Sequence, residues 1–262
     1  MTAPTLYVYC TSPYAAKVAA VLHFKSVPFE TVHLDPVTKA ELAFVDKLNL
    51  RKIVPTITVD GETRQNSTDI CIWLDQRYPQ PSILGADAHS RAAILKADRW
   101  VSDNFMPAFF RELLHHHGSY LTWLKDRWRY GEVLHACKPI PWYLRLFYPW
   151  ILKHVGFIRA HARGTRWDES LPAMRHRLLG EFLQQLGDGP FLGGQARVNL
   201  ADLALYPTIM TPYVVGLENP AMHILFEQDP QARAWLARVR DALMEKTGFP
   251  YLFSTDAVVR PV

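Results

Sequence analysis

Apolar and polar residues alternate with period two in short stretches at the start of the chain, and a helical period takes over for the remainder. Leu6-Tyr-Val-Tyr9 is β-branched and aromatic, the pattern of a buried strand. Ser12-Pro13 then offers an N-cap and a first-turn proline, and Val18, Val21, Leu22 and Phe24 recur at helical spacing as far as Ser26. Residues 29–34 alternate as a second strand, and Asp35 opens a helical stretch through Leu48. Residues 53–59 form a third strand, Asp60-Gly61 a hairpin turn and residues 62–65 a short return strand, after which Ser67 caps a helix to Arg77. The order β-α-β-α-β-β-α is that of an α/β thioredoxin-like domain.

Residues 78–85, with Pro79 and Pro81, read as a linker. Beyond it every periodic segment is helical: residues 90–114, an aromatic middle over 120–157, then 171–186, 201–213 and 230–246. The pattern predicts two domains, residues 1–80 thioredoxin-like and 86–262 an all-α bundle.

Composition narrows the function classes. A hydrophobic fraction of 49% with 12% aromatic residues is ample for buried cores. The net charge of +4 is spread without a basic block, and no groove-reading or single-strand motif organises the aromatics, so nucleic acid is not expected as a partner. Cys10, Cys71 and Cys137 show no paired metal-ligand spacing, and reduced thiols in a cytoplasmic protein is the economical reading. No secretory signal pattern opens the sequence, and its most apolar stretch, residues 140–158, is broken by Pro141, Arg145, Pro149, Lys153 and His154, a poor membrane span. His115-His116-His117 does not suit a metal, because adjacent helical residues splay around the axis; no metal is expected.

Four places carry chemistry or its scaffold. Tyr9-Cys10-Thr11-Ser12-Pro13-Tyr14 places a hydroxyl at a helix start, where the positive helix end favours a neighbouring thiolate over its thiol. Lys52-Ile53-Val54-Pro55 sits between a helix and a hairpin. Gln65-Asn66-Ser67-Thr68-Asp69-Ile70 places amide donors at another helix start, an arrangement that suits an anion. Phe191-Leu-Gly-Gly194 followed by Asn199-Leu-Ala-Asp202 reads as a helix-start box. For Ser12 and Ser67 plain N-capping is the competing role, for Tyr9 and Cys10 core packing, and for Lys52 a solvated surface charge.

Taken together these motifs resemble the cytosolic glutathione transferase superfamily over nearly the whole chain. The resemblance implies glutathione as co-substrate, with Ser12 donating to its sulfur and Cys10 or Tyr9 as alternatives. It implies a cis Pro55 that exposes the backbone of Val54 to the cysteinyl unit, Lys52 near the glycyl carboxylate, and Asn66 and Ser67 at the γ-glutamyl end. Tyr14 joins the pocket wall. Asn66 stands where Glu, Asp or Gln is usual in the family, and Asp69 where a small residue is common.

The implied reaction is thiolate attack on a small apolar electrophile held against Trp100, Phe105, Phe109 and Phe110, in a homodimer. Two other outcomes follow from the same residues: a thiol-disulfide oxidoreductase using Cys10, or a binding scaffold without catalysis. The aromatic run from Pro141 to His154, with its basic breaks, suits a membrane surface, a partner or the wall of an apolar pocket, with core packing as the default, and it lies within an insertion over residues 128–166 that shapes or covers the pocket.

Overall fold

The computed structural model describes residues 2–115, 119–247, Leu252 and Arg260. His116 and His117 lie outside the described residues. A mixed four-stranded sheet, order β2-β1-β3-β4, is built from β1 (Thr5–Val8), β2 (Glu30–His33), β3 (Thr56–Val59) and β4 (Glu62–Gln65). β1 and β2 run parallel across helix α1 (Pro13–Phe24), while β3 and β4 are antiparallel neighbours. Helix α2 (Ser67–Arg77) packs against α1. This is the expected α/β order.

α1 begins where Ser12 accepts a hydrogen bond from the Ala15 amide and Pro13 fills the first helical position, whose amide would have no partner anyway. The helix is buried almost all round, because one side faces the sheet and the other faces α9 (Leu200–Val214). One continuous apolar core therefore runs from the sheet into the helical part.

The segment after Asp35 departs from the expected α-helix: it is a 3₁₀ run, Ala40–Leu48, interrupted at Leu42. Asp35 Oδ1 accepts from the amides of Val37 and Thr38, which ties the chain into a local turn that competes with helix propagation. The third strand is likewise shorter than residues 53–59, beginning only at Thr56, after the cis Val54–Pro55 bond.

A long helical run follows the linker: α3 (Ala88–Trp100), a π turn over Val101–Phe105, and α4 (Met106–Leu114). α5 (Tyr120–Cys137) comes next. The expected aromatic middle then breaks at Lys138, and α6 (Trp142–Ile151) and α7 (Gly156–Ala162) fold back, α6 onto α5 and α7 onto α4. Gly131 allows that first return, since a Cβ there would sit 3.0 Å from the Tyr148 ring. α8 (Leu171–Leu186), α9, α10 (Ala221–Gln228) and α11 (Pro230–Thr247) complete the helical part; α10 has no counterpart among the periodic segments read from sequence.

Core packing fails as the account of α6. Only Pro149 of that helix is buried, and Trp142, at 74% exposure, projects outward with Tyr143, Phe147 and Trp150. The apolar contacts of the segment come instead from Tyr148, Leu152 and Ile158, which reach inward to Phe110.

Candidate functional site

Register brings the sequence motifs together. Tyr7 pairs with Thr56 across β1 and β3, and Thr56 pairs with Gln65 across β3 and β4. The loop after β1 with Ser12, the turn before β3 with Val54-Pro55, and the turn after β4 with Asn66-Ser67 therefore open at the same end of the sheet. Gln65 Nε2 holds two of these loops to each other, donating to Thr56 Oγ1 at 2.9 Å and to the Arg51 carbonyl at 2.6 Å.

Ser12 is half-buried at the α1 start. Its Oγ accepts from the Ala15 amide at 3.3 Å, so the hydroxyl hydrogen remains available for a further acceptor. Capping and an outward donor are compatible on one hydroxyl. Tyr14, the second residue of the helix, stacks on Phe110 with centroids 6.2 Å apart and meets His161 edge-on at 5.8 Å. Burial, with Asp103 nearby, raises the Tyr14 phenol to about 12, so it stays protonated at neutral pH.

The other two candidates in the turn, Cys10 and Tyr9, face elsewhere. Cys10 is 3% exposed, its Sγ lies 3.7 Å from the Val133 carbonyl on α5, and its contact with Cys137 together with burial pushes the thiol well above its ordinary value. A thiol held so is a poor nucleophile. Tyr9 packs over Leu34, Leu42 and Val45, and burial beside Asp35 and Glu41 raises it to about 12.

At the β4 end, Asn66 rather than Ser67 is the N-cap: its Oδ1 accepts from the Thr68 amide at 3.1 Å. Asn66 adopts φ 71°, ψ 118°, in the left-handed half of the map where a non-glycine residue is strained. That backbone turns the chain sharply, leaving Ser67 buried as the first helical residue. Lys52 is ion-paired to Asp46 at 2.8 Å and stays partly exposed.

Behind these loops lies a network the sequence did not reveal. Lys17, Thr68 and Asp98 join α1, α2 and α3, with Lys17 Nζ donating to Thr68 Oγ1 at 2.8 Å and the Thr68 hydroxyl donating to Asp98 at 3.0 Å. A lysine and an aspartate so far apart in sequence carry no local signal; only an intrahelical position on the inward face of α1 marks Lys17 as unusual.

The candidate wall residues separate. Phe110 belongs to the aromatic cluster at Tyr14, where Phe157 meets it edge-on at 5.5 Å. Phe105 and Phe109 line a cavity of about 100 Å³ among α4, α5, α8, α9 and α10, with Tyr130, Arg175 and His223. Trp100 is tied to α8, its indole N–H donating to Glu181 at 2.9 Å. Phe157 and His161, from the insertion, join the rings of Tyr14 and Phe110, a contact that sequence reasoning did not single out. Elsewhere, Cys10, His33 and Cys137 bring their ligand atoms within 4.8 Å of one another.

In the helical part, Asn199 and Asp202 form a capping box at the α9 start. Asp202, fully buried, accepts from the Leu192 amide, the Asn199 amide and the Trp235 indole at 3.0, 3.0 and 2.7 Å. The box thus staples the α8–α9 loop to α11. Among the described residues no helix is long and apolar enough to cross a membrane.

Residues 6–82 match the family model for the glutathione S-transferase N-terminal domain. A maleylpyruvate isomerase from a Ralstonia species is 30% identical over 111 residues, 42% of this chain and 52% of that protein. The chain spans about half the length, or less, of the curated relatives it matches. The solved beta-etherase LigF from Sphingobium sp. strain SYK-6 superposes with a TM-score of 0.61 at 24% identity, covering 94% of this chain and 98% of that one. Human glutathione transferase theta-2, solved with glutathione, superposes with a TM-score of 0.58 at 23% identity, covering 92% and 82%. Residues 6–82 thus carry a glutathione S-transferase N-terminal domain, and the chain as a whole shares the fold of these solved enzymes.

Proposed function

We propose that this protein activates the thiol of glutathione for attack on a small apolar electrophile. The observation that carries the reading is the register Tyr7–Thr56–Gln65, which opens the Ser12, Val54-Pro55 and Asn66-Ser67 loops at one end of the sheet. The tripeptide lies across that end. Its γ-glutamyl carboxylate meets the α2 N-terminus, where unpaired amides and the helix dipole favour an anion. Its cysteinyl unit pairs with the Val54 backbone, Lys52 stands near the glycyl end, and the thiol is directed at the α1 start.

There the Ser12 hydroxyl donates to the sulfur. A charge-assisted hydrogen bond and the α1 dipole both act on the thiolate and not on the neutral thiol, so together they lower the thiol pKa. Lowering it by about two units corresponds to roughly 2.7 kcal/mol of differential interaction. No proton acceptor beyond solvent is needed at neutral pH. The electrophile then sits against Tyr14, Phe110 and Phe157, and holding it beside the sulfur supplies the remainder of the rate through proximity. The reading assigns residues 1–80 to the tripeptide and 86–262 to the electrophile, in a cytoplasmic homodimer.

The burial of Cys10 against Val133 and Cys137 favours Ser12 over the cysteine as the residue that meets the sulfur. Kinetics of conjugation to an aromatic halide test this with Ser12→Ala and Cys10→Ser. Ser12→Ala should lower kcat/KM by about 10²-fold and raise the apparent pKa of the bound thiol, on the scale of losing one preorganised donor. Activity that survives Ser12→Ala but not Cys10→Ser would transfer the role to Cys10 and a thiol-disulfide reaction. Absence of calorimetric heat with millimolar glutathione would leave a binding scaffold.

A further inference from the structure

Cys10, His33 and Cys137 come from three elements that have no sequence relationship. Cys10 follows the end of β1, His33 is the last residue of β2 and pairs with Val8 of β1, and Cys137 ends α5 in the helical part. Their ligand atoms all lie within 4.8 Å of one another. All three thiols of the chain, these two among them, are outside disulfides. His33 Nδ1 is shut off from solvent and has no hydrogen-bond partner, a state that costs about 1–3 kcal/mol for a buried polar atom.

We propose that these three side chains form a binding site for a borderline-soft divalent cation, zinc foremost, that clamps the edge of the sheet to the end of α5. Two thiolates and one imidazole are the donor set such an ion prefers. In a tetrahedral site with bonds of about 2.3 Å to sulfur and about 2.0 Å to nitrogen, the ligand atoms stand roughly 3.5–3.8 Å apart. The present spacing, up to 4.8 Å, exceeds that by about 1 Å. Water takes the fourth position.

Charge is consistent with this occupant. Two thiolates neutralise a dication, and the adjacent Lys138 is already committed to Glu41 at 2.7 Å, so the site is not left beside an uncompensated cation. Binding displaces the two thiol protons, one from Cys10 and one from Cys137, into solvent. A Cys10–Cys137 disulfide or a thiol–thiol hydrogen bond would each use two of the three residues and leave the His33 nitrogen orphaned; a cation uses all of them. Cys10 Sγ faces the Val133 carbonyl of α5, and the test of the site needs no glutathione.

The experiment is metal titration of the full reduced chain, stripped with a chelator, using cobalt(II) and then zinc(II). The expected result is one cobalt per chain with a thiolate-to-cobalt charge-transfer band and the intense visible bands of tetrahedral coordination, displaced by one equivalent of zinc, with two protons released. Cys137→Ser and His33→Ala should each weaken zinc binding by about tenfold or more while circular dichroism stays unchanged, which separates ligand loss from misfolding. Absence of the charge-transfer band in the reduced chain, or uptake that both variants leave unaltered, overturns the proposal. So does isolation of a Cys10–Cys137 disulfide whose reduction yields no metal binding.

Discussion

Lys17 Nζ lies 2.5 Å from Asp98 Oδ1, and neither side chain reaches solvent, at 0% and 2% exposure. The pair sits directly behind Thr68, so the first turn of α2 and the first half of α1 are braced against α3 by one buried charge network. Removing one partner strands the other charge in a medium that solvates it poorly. Lys17→Met or Asp98→Leu should each cost about 3–5 kcal/mol in denaturant unfolding. The double variant Lys17→Met with Asp98→Leu should recover much of that loss, because an apolar pair has no desolvation penalty to offset; a purely additive double variant would refute the account.

Asp202 gathers three donors at the α9 start, two of them backbone amides that have no intrahelical partner. Asp202→Ala should therefore destabilise by at least about 3 kcal/mol, since it orphans several buried donors at once. Thermal unfolding is the measurement. A loss under about 1 kcal/mol would mean that water replaces the carboxylate.

Asn66 holds φ 71° without a glycine. Asn66→Gly relieves the backbone strain while giving up a cap, and should leave stability within about 0.5 kcal/mol. Asn66→Val, which a β-branched side chain fits badly at positive φ, should cost about 1–3 kcal/mol. Parallel calorimetry with glutathione should show Asn66→Val binding more weakly, because the turn that presents the α2 amides is displaced.

His23 is packed edge-on against Phe29, and burial lowers its imidazole to about 4. An unfolded histidine titrates near 6.5, so between these values the unfolded chain binds the extra proton and folding stability falls as the solution is acidified. The stability His23 contributes is complete above about pH 6.5 and disappears as pH drops toward 4. His23→Gln should make the urea midpoint less steep in pH over that window. His223, also lowered to about 4 by burial, keeps the slope from vanishing.

Much of the candidate site's local structure was legible because its parts are local. A strand followed by Ser12-Pro13, a Val-Pro before a hairpin, and Asn66-Ser67 before a helix each announce themselves through turn and cap chemistry within a few residues. The same is true of Asn199 and Asp202, whose box closes over three positions. The cap at Asn66 instead of Ser67, and the 3₁₀ run after Asp35, escaped that reasoning because a one-residue difference in capping and a competing aspartate turn leave the periodicity unchanged.

The amino-acid sequence thus determined by itself the order of elements, the α/β and helical parts and the turn and cap chemistry of the three loops that open at one end of the sheet, since all of these follow from short-range propensity and patterning. Tertiary structure alone decided which side chains share a site. It brought Lys17 to Asp98, Cys10 to Cys137, and Phe157 to Phe110, and it turned the aromatic face of α6 outward. Those pairings depend on how strands register and helices pack across long chain separations, and the free energy that selects them comes from burying one continuous core, a property of no single segment.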